Sequence, residues 1–167
     1  MQGATAVTEP SVKDHPDVIM LPPLILLIVL AIAIALEWVA GLHFLPPMSW
    51  SGWSLYAGLL LVVAAFALGG WALLTFAAVG TNASPHEPAL HLALSGPYRF
   101  TRNPMYLGFL LLLVGVSLIF SLEWGLILTP VLAVILHYGV VLREERYLTE
   151  KFGQPYRDFV GRTRRWL

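Results

Sequence analysis

The sequence contains no cysteine, which excludes disulfides, thiolate nucleophiles and cysteine-ligated metal sites. Charged residues are also scarce: they make up 12% of the 167 residues, whereas hydrophobic residues make up 57%. Globular domains carry about 25% charged residues, so this composition is typical of an integral membrane protein. Ten basic and ten acidic residues balance to a formal net charge of zero, which gives no indication of nucleic acid as a partner.

Uncharged apolar runs divide the chain into four predicted transmembrane helices. A helix rises about 1.5 Å per residue, so about 20 residues cross the roughly 30 Å hydrocarbon core of a bilayer. We predict spans at about 21–42, 53–79, 105–122 and 124–142. The sequence therefore predicts an all-α polytopic membrane protein, with a polar tail over residues 1–20 and a single membrane domain over residues 21–167.

The polar segments predict how the chain is oriented in the membrane. The longest polar connection covers residues 80–104, and the amphipathic residues 143–167 are expected to form helices on the membrane surface. With four spans, all ten Lys and Arg residues fall on one side. By the positive-inside rule we expect both termini and the 80–104 loop to be cytoplasmic, in a bacterial inner membrane.

The last two predicted spans form a hairpin that returns the chain to the membrane face it left. Only Glu123 separates the two apolar runs, which have nearly equal length. Arg102 is therefore expected to lie near the pair Glu144 and Glu145. Arginine binds carboxylates and phosphates, and glutamate accepts hydrogen bonds from ammonium groups or ribose hydroxyls. This combination suits a small zwitterionic or nucleoside-bearing ligand.

Several segments resemble the signature of the isoprenylcysteine carboxyl methyltransferase and phospholipid methyltransferase superfamily. They are Gly96-Pro97-Tyr98-Arg99, Arg102-Asn103-Pro104-Met105-Tyr106-Leu107-Gly108, Glu144-Glu145 and Phe152-Gly153-Gln154-Pro155-Tyr156. The resemblance covers roughly residues 80–167. It implies a methyltransferase that binds S-adenosylmethionine at the cytoplasmic face and accepts a lipophilic substrate sideways from the membrane.

The resemblance also implies roles for individual residues. The expected catalytic residues are Arg102, Asn103, Glu144 and Glu145. The expected cofactor contacts are these four and Leu94, Gly96, Tyr98, Arg99, Pro104 and Tyr106. The family pattern usually has histidine where this chain has Asn103. Asparagine keeps the hydrogen bonding of that position but cannot titrate, which argues against proton transfer there.

Other polar residues in apolar surroundings are candidates for lining the acceptor's path or for structural pairing. His137 lies seven residues before Glu144, which predicts the same helical face. With Tyr138 it is expected to line the path of the acceptor, and a packing role for the histidine stays open. Glu37 is expected to pair structurally, with His43 as its candidate partner. No metal site is predicted, because the loop histidines lack a ligand pattern.

Glycines in the spans predict close helix contacts. Gly69-Gly70, Gly108 and Gly115 are expected to let neighbouring helices approach each other.

Three functions stay open on the sequence alone. The first is an S-adenosylmethionine-dependent methyltransferase acting on a lipophilic carboxylate, amine or thiol. The second is an NADPH-dependent membrane reductase of related fold, although the loop has only two arginines for a 2′-phosphate. The third is a non-catalytic, lipid-binding membrane scaffold, which the asparagine at position 103 favours. The sequence indicates neither the acceptor nor the oligomeric state.

Overall fold

The computed structural model describes residues 15–47 and 52–167, and within these ranges it is helical, with no β-strand. The elements are α1 (Pro22–Ala40), α2 (Trp53–Val79), a 3₁₀ turn (Gly96–Arg99), α3 (Pro104–Phe120), α4 (Glu123–Leu136), a π turn (His137–Val141), α5 (Leu142–Phe152) and α6 (Gln154–Arg162). The π turn joins α4 and α5 into one continuous helix, so no break marks the point where the apolar run ends.

Three helices are long and apolar enough to cross a membrane: α1, α2 and the continuous helix Glu123–Phe152. The predicted second span has the same bounds as α2. The predicted third span corresponds to α3, which is apolar but shorter, with 17 residues. Large apolar side chains such as Leu60 and Phe66 are exposed on the outer surface of α2, as lipid-facing residues are. The protein is an integral membrane protein with an all-helical described structure.

Helices α2 and α3 pack closely because glycines face the opposing backbone. A Cβ atom on Gly115 would lie 2.9 Å from the carbonyl oxygen of Gly58, and one on Gly108 would lie 3.2 Å from a carbonyl oxygen of α2. The predicted close contact is confirmed at these positions. It is wrong for Gly69 and Gly70, where an added Cβ would meet nothing within 4 Å. These two glycines border empty space instead.

At the end of the molecule opposite the 80–103 loop, two glutamates join α1 to α4. The carboxyl groups of Glu37 and Glu123 are hydrogen-bonded to each other. Glu37 also accepts the backbone N–H of Trp124 at 3.3 Å, and Glu123 accepts that of Leu45 at 3.1 Å. Glu37 is therefore paired structurally, as expected, and its carboxyl partner is Glu123 rather than His43.

The residues just before α1 are docked on the π turn. The backbone N–H of Ile19 donates to the carbonyl oxygen of Gly139 at 3.2 Å, and the Ile19 side chain fills the space that a Cβ of Gly139 would need. The guanidinium of Arg143 donates to the carbonyl oxygen of Asp17 at 2.6 Å. This part of the predicted polar tail is anchored to the helices, and residues 1–14 of that tail lie outside the described residues.

Candidate functional site

The loop between α2 and α3 is folded by its own hydrogen bonds and held against α5. The hydroxyl of Thr81 accepts the backbone N–H groups of Leu90 and His91 at 3.0 and 3.2 Å. The backbone N–H of Ala89 donates to the hydroxyl of Tyr147 on α5 at 3.1 Å. The loop thereby forms one wall of a cavity between α2, α3 and α5.

The 3₁₀ turn directs an aromatic ring into this cavity. Gly96 has a φ of +59°, and a Cβ there would lie 2.5 Å from the Oγ1 of Thr75, so glycine lets the turn press against α2. The ring of Tyr98 then stacks on Phe76, with centroids 5.1 Å apart and planes inclined by 13°. The hydroxyl of Tyr98 is buried and has no hydrogen-bond partner among the described residues.

The cavity, called the polar cavity below, has an empty volume of about 870 Å³, including space open to solvent. It is bounded by the loop, the start of α3, α5 and α6. The structure brings many of the predicted site residues into its lining: Tyr98, Arg102, Asn103, Pro104, Tyr106, Glu144 and Glu145. Phe76, Tyr156 and Phe159 add aromatic surface. Burial raises the pKa of Tyr98 and of Tyr156, so both phenols stay protonated donors at neutral pH.

Arg102, Glu145 and Arg165 form a charged triad beside the polar cavity. The Nη2 of Arg102 lies 2.9 Å from the Oε1 of Glu145, and the Nη2 of Arg165 lies 2.8 Å from its Oε2. Both arginines add an Nε hydrogen bond to Oε1, at 3.1 and 3.0 Å. The hydrogen bonds to Glu145 raise the pKa of Arg165. The predicted meeting of Arg102 with the glutamate pair is confirmed.

The guanidinium of Arg102 also holds the end of α6. Its Nη1 donates to the carbonyl oxygens of Val160 at 3.1 Å and Thr163 at 2.8 Å. The side chain is 8% exposed. Most of its donor capacity is therefore used within the protein, so Arg102 connects α3, α5 and α6 rather than presenting an open fork to a ligand.

Glu144 is held by a different partner from its neighbour. The hydroxyl of Tyr106 on α3 donates to the Oε1 of Glu144 at 2.5 Å. Tyr106 is 6% exposed, so this bond fixes the carboxylate in a largely dry part of the lining. Glu144 has no arginine partner among the described contacts, so its carboxyl group is the acceptor in this wall best placed to meet a cationic or hydroxyl-bearing ligand.

The side chain of Asn103 points to the backbone of residues 163–166, which run beside residues 101–103. Its Nδ2 donates to the carbonyl oxygen of Arg165 at 2.8 Å, and the hydroxyl of Thr101 donates to the same oxygen at 3.2 Å. The backbone N–H of Arg102 donates to the carbonyl oxygen of Arg164 at 2.9 Å. The asparagine amide thus completes a backbone junction at the edge of the site.

A second cavity, called the apolar cavity below, has an empty volume of about 1090 Å³ and lies between the start of α1, α2 and α3. It shares Met105, Tyr106 and loop residues 83–85 with the polar cavity. Phe66 and Leu73 line it and are also exposed on the lipid-facing side of α2. The apolar cavity therefore opens toward the hydrocarbon region, and one wall separates it from the polar cavity.

A comparison with known families places the chain. The model of the phospholipid methyltransferase family matches residues 47–155, more than half of the chain. The chain belongs to the phospholipid methyltransferase family. This confirms the resemblance found in the sequence, and membership implies methyltransferase activity. An uncharacterized protein from Haemophilus influenzae is 39% identical over 66 residues, which are 38% of this chain and 100% of that relative. No solved structure matches the chain.

Some residues predicted to contact the cofactor lie outside the lining of the polar cavity in this phospholipid methyltransferase family member. The side chains of Leu94 and Arg99 are exposed at the surface. Gly96 packs against α2. These positions shape or flank the turn that carries Tyr98, and their proposed contacts with a cofactor stay predictions.

His137 and Tyr138 line neither described cavity. The indole Nε1 of Trp166 donates to the Nδ1 of His137 at 3.4 Å, and Tyr138 is 65% exposed. The predicted shared face with Glu144 assumed an uninterrupted α-helix. The π turn makes i→i+5 hydrogen bonds and therefore changes the angular phase between residues before and after it.

Arg165 was missed as a site residue because nothing in its neighbourhood forms a motif. The amphipathic residues 143–167 were expected to form helices on the membrane surface, yet α6 buries Tyr156 and Phe159 within the protein, at 3% and 7% exposure. An amphipathic pattern does not distinguish burial against lipid from burial against protein. Arg165 also lies outside the matched family region.

Proposed function

We propose that this protein transfers a methyl group from S-adenosylmethionine to a lipophilic acceptor, with the cofactor in the polar cavity and the acceptor in the apolar cavity. The observation that carries this proposal is the shared wall at Met105 and Tyr106. A charged, aromatic-lined cavity and a hydrocarbon-lined one meet there, which is what a reaction between a water-soluble nucleoside and a membrane lipid requires.

The residues of the polar cavity fit S-adenosylmethionine. The carboxylate of Glu144 can accept hydrogen bonds from ribose hydroxyls or from the ammonium group, and the unpartnered hydroxyl of Tyr98 offers a buried donor. The rings of Phe76, Tyr156 and Phe159 offer faces for adenine and for the sulfonium charge. When bound, this cofactor supplies an already activated methyl group.

The protein's own contribution is positioning and exclusion of water. Tyr106 and Asn103 are almost fully buried beside the shared wall. Little water can therefore reach the point where the sulfonium charge is dispersed during methyl transfer, which favours the reaction. A carboxylate or thiolate acceptor needs no general base. An ammonium acceptor must first lose a proton, and Asn103 cannot accept it.

The same contacts support four membrane spans. Arg102 precedes α3 and Glu145 follows the π turn, and they touch at one end of the molecule. Glu37 lies in the last turn of α1 and Glu123 begins α4, and they touch at the other end. Helix α3 runs between these ends, and its 17 residues span about 26 Å. With four spans the basic residues favour a cytoplasmic site with both termini on that side, in a bacterial inner membrane.

Calorimetry in detergent tests the proposal against its rivals. We expect S-adenosylhomocysteine to bind and NADPH not to bind. Tyr98→Phe removes only the unpartnered hydroxyl, and we expect it to weaken S-adenosylhomocysteine binding about fivefold to tenfold, the worth of one hydrogen bond. Binding of NADPH alone would favour a reductase, and binding of neither ligand would favour a non-catalytic lipid-binding scaffold.

A further inference from the structure

We propose that Asn103 and Arg165 are positioning residues, which hold residues 163–166 against the start of α3 and thereby fix the side chains of Glu145 and Arg102 as part of the wall that shapes the polar cavity for its ligand. This role rests on the proposed function. Residues 163–166 are called the clasp segment below.

The clasp segment is fixed by backbone and side-chain bonds on both of its edges. Residues 101–103 bond to the carbonyl oxygens of Arg164 and Arg165, and Thr101 and Arg164 form a parallel bridge. Further along, the indole of Trp166 bonds to His137 at the π turn. Thr163 is 7% exposed. The segment therefore has a defined position beside the polar cavity.

The clasp segment orients both charges of the predicted site. Glu145 receives a hydrogen bond from Arg165 Nε at Oε1, the oxygen that Arg102 also uses, and one from Arg165 Nη2 at Oε2. Arg102 in turn donates through Nη1 to the carbonyl oxygen of Thr163. Without the segment, Glu145 keeps one guanidinium and Arg102 loses a backbone acceptor, so both side chains gain rotational freedom at the mouth of the cavity.

Asn103 has a specific part in this clasp. Its amide nitrogen donates to the carbonyl oxygen of Arg165, and the residue is 7% exposed. A donor is what this position needs, because the partner is a carbonyl oxygen. A histidine N–H can serve the same purpose, whereas an aspartate carboxylate would face that oxygen without a hydrogen between them. The two substitutions therefore separate hydrogen-bond donation from side-chain size.

The absence of cysteine allows a single spin label to follow the clasp segment. The label is placed at Leu167→Cys, because Leu167 is 77% exposed. Electron paramagnetic resonance is recorded on the full chain in detergent for the labelled protein, Arg165→Ala, Arg165→Lys, Asn103→Asp and Asn103→His. Arg164→Ala is the matched control, because the Arg164 side chain is exposed and the junction uses its backbone carbonyl. Each unlabelled variant is also titrated with S-adenosylhomocysteine by calorimetry.

We expect Arg165→Ala and Asn103→Asp to mobilise the label and to raise the Kd for S-adenosylhomocysteine at least tenfold, with unchanged stoichiometry. Arg164→Ala and Asn103→His should resemble the parent, and Arg165→Lys should recover part of the affinity. Unchanged stoichiometry distinguishes altered positioning from a loss of folded protein, which would lower the number of sites.

Two results would overturn the inference. One is a label that stays immobilised in Arg165→Ala and Asn103→Asp, since these residues then do not hold the segment. The other is a mobilised label with a Kd within twofold of the parent, since the held segment then does not position the site. Failure of the parent protein itself to bind S-adenosylhomocysteine would instead refute the proposed function, and the spin-label spectra would still report whether the clasp exists.

Discussion

Replacing Glu145 tests whether the charged triad holds α3, α5 and α6 together. In the native protein the Nη2 of Arg165 lies 2.8 Å from the Oε2 of Glu145. Glu145→Gln keeps the shape of the side chain and an oxygen for Arg102. It places either an amide nitrogen or a weaker acceptor against Arg165. A hydrogen bond to a charged group is worth about 1.5–3 kcal/mol. Because Glu145 is 15% exposed and Arg102 is 8% exposed, we expect Glu145→Gln to lower the free energy of unfolding by about 2–3 kcal/mol.

Glu145→Ala should cost more, because it leaves two guanidinium groups facing each other without a counter-charge. Loss of one partner from a buried pair costs about 3–5 kcal/mol. Arg165→Ala should cost less than either, since it is the more exposed arginine, at 37%, and its removal leaves the Arg102 pair intact. The structure therefore predicts an order of destabilisation rather than a single value.

The assay is reversible unfolding in mixed micelles with increasing dodecyl sulfate, followed by circular dichroism. A double-mutant cycle of Glu145→Gln with Arg165→Ala isolates their interaction. We expect a coupling of about 1 kcal/mol or more, because each change removes the other's partner. If Glu145→Gln lowers the free energy of unfolding by less than about 0.5 kcal/mol, or if the single changes are strictly additive, the triad does not hold α3, α5 and α6 together.

Two further predictions concern the glycines. Gly115→Ala puts a methyl group 2.9 Å from a backbone carbonyl oxygen, so we expect the free energy of unfolding to fall by about 1–3 kcal/mol in the same assay. Gly69→Ala is the matched control, because its methyl group meets nothing within 4 Å. Equal effects of the two substitutions would contradict close packing at Gly115. Gly70→Leu fills the apolar cavity, so we expect weaker binding of a fluorescent fatty acid in a titration and unchanged binding of S-adenosylhomocysteine. Loss of both ligands would show that the two cavities are not separate.

The contact between the start of α3 and the start of α5, and the close packing of helices, could be predicted from the sequence. Two apolar runs of nearly equal length must return the chain to one depth, so the meeting of Arg102 with the glutamate pair followed from counting residues. Gly108 and Gly115 were predicted for the same kind of reason, because small residues let backbones approach. These are properties of one segment or of its length, and no knowledge of a distant partner is needed.

The missed features depend on contacts that leave no local pattern. Arg165 looks like any other basic residue near a membrane surface until the chain folds back and places it on Glu145. Gly69 looks like Gly108 in the sequence, although an added Cβ would meet nothing within 4 Å at Gly69 and a carbonyl oxygen at 3.2 Å at Gly108. His137 begins a π turn and bonds to Trp166, and neither feature has a signal in the local sequence. Each needed the three-dimensional neighbours rather than the spacing.

The wall at Met105 and Tyr106 lies between a cavity with a charged lining and a cavity with a hydrocarbon lining. Under the proposed function, the nucleoside cofactor would enter the polar cavity from water and the lipophilic acceptor would enter the apolar cavity from lipid, so neither would block the entry of the other. A methyl transfer across that wall would require both reactants to be bound together, and they would be free to bind in either order. Steady-state lines at varied concentrations of the two should intersect, and each spent molecule should depart into the phase from which it came.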